Sequence, residues 1–163
     1  MNNKLKYLGY SVVFQEVPDE VTLVINISGC PHKCIGCHSK YLWEYKGRYI
    51  SNDLDRLLEK YNDLITCVCF MGGDQNQDEL TNLLIKIKQY KLKTALYTGI
   101  DTINSLAVKI LDNLDYCKIG HYDSSHGGLN NPNTNQQMLK RNLETNKWED
   151  ITYRFWKGSK IND

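Results

Sequence analysis

Three of the six cysteines fall within eight residues, Cys30, Cys34 and Cys37, spaced C-x3-C-x2-C. They follow Val21-Thr22-Leu23-Val24-Ile25-Asn26-Ile27, a near-continuous apolar, β-branched run that reads as a strand buried on both faces. Three thiols therefore sit on a loop at the end of a core strand. Among Pro31, His32, Lys33 and Gly36 they do not read as packing residues. Whatever the chain folds into must hold that loop open to chemistry.

Downstream, strand-like and helix-like stretches alternate. Tyr10 to Phe14 reads as a lead-in strand closed by a turn at Pro18, and residues 39–50 are aromatic and basic without a period. Ser51-Asn52-Asp53 opens a helix with Leu54, Leu57, Leu58 and Tyr61 on one face. Residues 64–70 form a second buried strand ending at Met71-Gly72-Gly73-Asp74. A second helix carries Leu80, Leu83, Leu84, Ile87 and Tyr90; a third strand runs from Lys93 to Tyr97 and ends at Thr98-Gly99. A third helix is expected with Ile103, Leu106, Ala107, Ile110, Leu111 and Leu114 inward, then a strand over 115–120 and a loop from His121 to Asn133. The spacing predicts a short helix from Thr134 through Leu139 and a last strand over 151–156.

This order predicts an α/β fold with a mostly parallel sheet, either an open doubly wound sheet or a partial barrel. A closed eight-unit barrel needs roughly 200–250 residues, and the chain has 163. Loops that follow parallel strands share one rim, so the cysteines, Gly72-Gly73-Asp74, Thr98-Gly99 and the loop from His121 are expected to converge. The length suits one domain over 1–163 with its core at about 8–156. A net charge of +1 calls for neither nucleic acid nor a membrane as partner. The apolar runs are of strand length, and residues 1–7 lack the apolar core of a signal peptide. Clustered cysteines without an export signal lead us to expect a cytoplasmic protein that binds metal rather than forming disulfides.

Three thiolates on one loop can wrap a metal centre. Structural zinc wants four closed ligands, the fourth here being His32, His38 or a remote cysteine. Zinc fingers usually bring ligands in two separated pairs, and no second pair of that kind is present. A [4Fe–4S] cluster normally takes four cysteines; with three, one iron keeps an open position for a substrate or cofactor. Cys67, Cys69 and Cys117 fit the role of small buried hydrophobes, the first two on one side of a strand.

The spacing C-x3-C-x2-C after the first core strand resembles that of the radical S-adenosylmethionine (SAM) enzymes. Residues 29–38 with Trp43 six residues beyond the last cysteine are similar to the activases of glycyl-radical enzymes, as is Phe70-Met71-Gly72-Gly73-Asp74. The stretches 118–122, 127–132 and 134–136 resemble the activating-protein family of anaerobic ribonucleoside-triphosphate reductases, and the resemblance spans about 8–156. It implies a partial (βα) barrel of the radical SAM type. Cys30, Cys34 and Cys37 would ligate one [4Fe–4S] cluster, with SAM on the fourth iron. Gly36, Cys37 and His38 would lie against SAM, Gly72 and Gly73 would present backbone groups to its amino end, and Asp74 would contact that amino group or orient the loop. No catalytic side chain is implied beyond the cluster and SAM. The implied function is to install a glycyl radical on the reductase large subunit, with reduced flavodoxin or a similar electron donor. A homodimer is compatible with this. Alternatives are an activase of the pyruvate formate-lyase type, which tends to be longer, and a zinc module without catalysis.

Two departures carry structural expectations. Gln75 stands where the motif usually has proline, which implies a less rigid turn. Gly36 replaces an aromatic residue, leaving His38 or Tyr41 to cover the adenine. Asn130, Asn131, Asn133 and Asn135 suit either ligand contacts or loop chemistry. Trp43 with Tyr41, Tyr45 and Tyr49 forms a partner surface or a satellite cluster. Lys86, Lys88, Lys91 and Lys93 form a solvated face or a dock for an acidic donor.

Overall fold

A computed structural model describes residues 3–156. The expected single domain over 1–163 thus includes 1–2 and 157–163, which lie outside the described residues. Eight strands form one open sheet in the order β3-β1-β2-β4-β5-β6-β7-β8. They are β1 (Lys6–Val13), β2 (Thr22–Ile27), β3 (Arg48–Tyr49), β4 (Cys67–Met71), β5 (Lys93–Tyr97), β6 (Tyr116–Ile119), β7 (Gln137–Arg141) and β8 (Trp148–Asp150). The helices are α1 (Ile50–Tyr61), α2 (Gln77–Gln89) and the four-residue α3 (Val108–Leu111).

The expectation of a mostly parallel partial barrel is overturned. Only the central steps β2–β4, β4–β5 and β5–β6 are parallel. The other four of the seven pairings are antiparallel: β1–β2, β1–β3, β6–β7 and β7–β8. The physical reason lies at the edges. Past β6 the described residues hold no further strand-helix unit; the chain returns through the loop after Ile119 and pairs antiparallel, with Cys117 opposite Leu139. A doubly wound sheet is likewise excluded, because the helices cover one face. Leu54, Leu57 and Leu58 of α1, and Leu80, Leu84 and Ile87 of α2, pack with Leu23, Ile25, Phe70 and Leu96 in one core. Across the sheet, Val24, Cys67, Cys69, Ala95, Tyr116 and Met138 are covered by Val17, Leu129, Ile151 and Phe155 instead of an α-helix.

Three local expectations also fail. The long helix over 103–114 is a 3₁₀ turn (Ile103–Ser105), an extended break at Leu106 and Ala107, and then α3. The Ala107 N–H leaves the helix pattern and donates to Gln77 Oε1 at 2.8 Å. Its inward positions Leu106, Ile110 and Leu114 are still buried. Thr134 caps a turn rather than a helix: its Oγ accepts from Gln136 N–H and donates to Gly127 O. Residues 137–141 are then free to add a strand, placing Met138 and Leu139 in cores on opposite faces. The expected strand over 151–156 is a 3₁₀ helix (Thr152–Phe155) begun when Asp150 Oδ1 accepts from the Thr152 N–H.

Candidate metal centre

The parallel strands β2, β4, β5 and β6 run in one direction, so the loops after them meet on one rim. A cavity of about 250 Å³ opens there. Its walls include Cys30, Cys34 and Cys37 from the loop after β2, Gly72 and Asp74 after β4, and Thr98 and Gly99 after β5. Tyr122 comes from the loop after β6. Rim sharing, unlike barrel closure, needs only a few parallel neighbours.

The cysteine loop is held by backbone contacts. Cys30 N–H donates to Leu42 O at 2.9 Å, and Cys37 N–H donates to Cys34 O at 3.1 Å, closing a tight turn around the second and third thiols. Ser39 N–H points at Cys37 Sγ, 3.3 Å away. All three thiols are half-buried and unpaired. Burial pushes the Cys30 thiol up, partly offset by the backbone N–H groups of His32 and Lys33. Cys67, Cys69 and Cys117 are fully buried, with their thiols also raised by burial, Cys117 to about 12.

Gln75 takes over the work expected of a proline. Its Oε1 accepts from Gly73 N–H at 3.1 Å, and its Nε2 donates to Ser28 O at 3.0 Å. The amide thus staples the glycine-glycine loop to the start of the cysteine loop. Gly72 and Gly73 lie at φ +93° and +121°, where a side chain is strained, so glycine suits this turn. Asp74 is half-buried with its side chain turned inward, and His32 Nε2 donates to its Oδ2 at 3.1 Å.

The residues expected to touch SAM divide. Cys37, Gly72 and Asp74 line the thiol cavity. Cys37 and His38 line a second, adjoining cavity of about 600 Å³, with Gly127, Gly128, Asn130, Asn131 and Gln136. Gly36 and Gly73 are not on either wall: a Cβ on Gly36 would meet Tyr122 at 3.3 Å, and one on Gly73 would meet Leu80 at 3.4 Å. His38 packs on Tyr122, ring centroids 5.4 Å apart, whereas Tyr41 is exposed and lines neither cavity. Asn130 and Asn131 line the larger cavity, while Asn135 donates to His121 O, so the asparagines serve both readings. Trp43 turns into the thiol cavity, and its buried indole N–H has no acceptor among the described residues. Tyr45 and Tyr49 remain exposed, with Lys6 over both rings.

Lys118, Tyr97, Tyr122 and Gln136 line both cavities, and reasoning from spacing missed them as site residues. Lys118 is the most informative. Its ammonium is buried and donates to Thr98 O and Gly120 O, each at 3.1 Å, with no carboxylate partner among the described residues. Burial pulls its pKa down, and the nearby Cys34, Cys117, Cys30 and Cys37 act the other way. The available signal was a lysine inside the apolar strand Tyr116-Cys117-Lys118-Ile119, at the C-terminal end where ligands gather.

The lysine group along α2 and β5 is largely neutralised. Lys86 pairs with Asp55, Lys88 with Asp115 and Lys93 with Glu20. That leaves little unbalanced charge for an acidic donor there.

The donor set suits an iron–sulfur cluster. Thiolates are soft ligands that serve zinc or Fe–S centres. Of the groups that could close a zinc site, His32 and Asp74 bond each other, His38 lies on Tyr122, and the other cysteines are inside the sheet. Among the described residues, no three His, Cys, Asp or Glu side chains gather around a single ion. No helix of the described residues is long and apolar enough to cross a membrane. The sequence family described as "4Fe-4S single cluster domain" matches residues 20–147. No curated protein matches the chain.

Proposed function

This chain belongs to the 4Fe-4S single cluster domain family, and on that premise we propose that it is a radical SAM activase. Its substrate is a glycine of anaerobic ribonucleoside-triphosphate reductase, and its electron comes from reduced flavodoxin or a similar carrier. The observation that carries the reading is the shared cavity: three thiols, a glycine-glycine-acid loop and a buried lysine on one rim.

Cys30, Cys34 and Cys37 would hold the cluster, leaving one iron without a protein ligand. Bound there, the cluster would supply the single electron needed for reductive cleavage of the sulfonium C–S bond of SAM, the chemistry that glycyl-radical formation on the partner requires. The chain's own residues bind and orient. Gly72 offers backbone to the amino end of SAM at close range. Asp74 offers a carboxylate to the same ammonium, and Lys118 offers an ammonium to the carboxylate. The Trp43 indole N–H is available to a cluster sulfide or to SAM, and hydrogen bonds to sulfur help set cluster potentials. Tyr97, Tyr122 and Trp43 keep water from the reacting centre. The adjoining cavity, with its glycines and amides, would receive the partner's loop.

Anaerobic reconstitution with iron and sulfide tests this. We expect a brown protein that bleaches on dithionite and releases 5′-deoxyadenosine from SAM. A colourless protein holding one zinc would sink the reading. Activity on pyruvate formate-lyase but not on the reductase would shift the partner and keep the chemistry.

A further inference from the structure

His32 lies between the first and second cysteines and touches two other loops. Its Nε2 donates to Asp74 Oδ2 at 3.1 Å, and the Asp74 side chain is only 8% exposed. An ionised carboxylate is purely an acceptor, so the imidazole is the donor in this contact. On its other side the ring lies against Gly99. A Cβ added at Gly99 would sit 2.7 Å from His32 Cγ, closer than any real contact. So the loop after β5 leaves room for the imidazole by having no side chain. Asp74 Oδ1 makes no hydrogen bond to any described residue. His32, Asp74 and Gly99 all line the thiol cavity.

We propose that His32 is a positioning residue that clasps Asp74 across the cavity mouth. The clasp locks the cysteine loop to the glycine-glycine loop and fixes the carboxylate so that Oδ1 is left for a primary ammonium group. Asp74 is the residue that touches the ligand; His32 acts through it. The second half of this inference rests on the SAM reading above, while the first half, the locking of the loop, does not. A hydrogen bond to an ionised group carries roughly a tenfold equilibrium weight or more. Gln75 holds the same two loops together at their base, by Ser28 and Gly73. The loops therefore stay folded without the clasp and lose only their alignment at the mouth.

The test uses the full chain with its cluster reconstituted. Two readouts are taken on each variant: the rate of iron release to a chelator, and the dissociation constant for SAM by equilibrium dialysis. His32→Leu is expected to speed iron release about fivefold and weaken SAM about tenfold, the size of one charge-assisted bond. Asp74→Ala should match it on iron release, and the double variant should be no worse than Asp74→Ala alone on either readout. His32→Gln, whose amide N–H still reaches the carboxylate, should recover most of both effects. Gly99→Ala, which displaces the ring from the far side, should mimic His32→Leu while its thermal midpoint stays near that of the parent. Iron release in His32→Leu equal to the parent overturns the clasp, as does a double variant whose effects multiply. If the parent protein shows this iron-release pattern but binds no SAM, the clasp stands and the SAM reading falls.

Discussion

Six cysteines divide evenly between two settings. Cys67, Cys69 and Cys117 stand within β4 and β6 with no solvent exposure, their thiols raised by burial. Cys30, Cys34 and Cys37 stand on a loop beyond β2, half-buried, unpaired, and gathered on one cavity wall. A buried thiol costs much to ionise and acts as a small hydrophobe, while a rim thiol can become the thiolate that binds metal. Position relative to the strand end, not residue type, separates core from site.

The largest expected effect breaks this contrast directly. Cys34→Ala should abolish the cluster, read as loss of brown colour and of iron per chain. Cys69→Ala should keep both and cost only about 1 kcal/mol in chemical denaturation. Retained colour in the first, or lost colour in the second, would erase the distinction.

Alkylation of the iron-free chain sharpens it. At pH 9 the folded protein should take up label on Cys30, Cys34 and Cys37, with Cys30 slowed by its raised pKa. Cys117, pushed to about 12, stays a thiol at that pH. A free thiol ionises near pH ~8.5, so the unfolded chain sheds those protons first and stability falls as pH rises from there toward the folded values. Mass spectrometry before and after unfolding should count three labels, then six in all.

The smallest effect concerns the support beneath the rim. Gln75→Ala removes the staple between Gly73 and Ser28 and should cost ~1–2 kcal/mol, with quicker iron release but an assembled cluster. Gln75→Pro, restoring the residue usual in the motif, should lose the same contacts. A variant as stable as the parent would show that the turn does not depend on this amide.

Much of the site was legible in the sequence because its marks are local. The cysteine spacing and Gly72-Gly73-Asp74 each lie in a few consecutive residues after an apolar run. The parallel core was legible too, from β2, α1, β4, α2 and β5 in order. Lys118 was not, since a lysine in a strand is unremarkable until its neighbours show two carbonyls and no carboxylate. Nor was His32, whose partners lie 42 and 67 residues away. The residues after Ile119 misled for the same reason. Thr134 caps helices and turns alike, and only the unpaired edge of β6 decides that Gln137–Arg141 becomes a strand.

By itself, then, the amino-acid order determined β2, α1, β4, α2 and β5, and the thiol loop with its iron–sulfur donor set. Those depend on local periodicity and on ligand types at fixed spacing. The tertiary structure alone decided that the sheet stays open and mixed, with helices on one face. It also decided that Lys118 and His32 line the thiol cavity and that Gln75 bridges the two loops beneath it. Edge pairing, burial of a charge and contacts between distant loops are energies of the assembled chain, and no short window of residues encodes them.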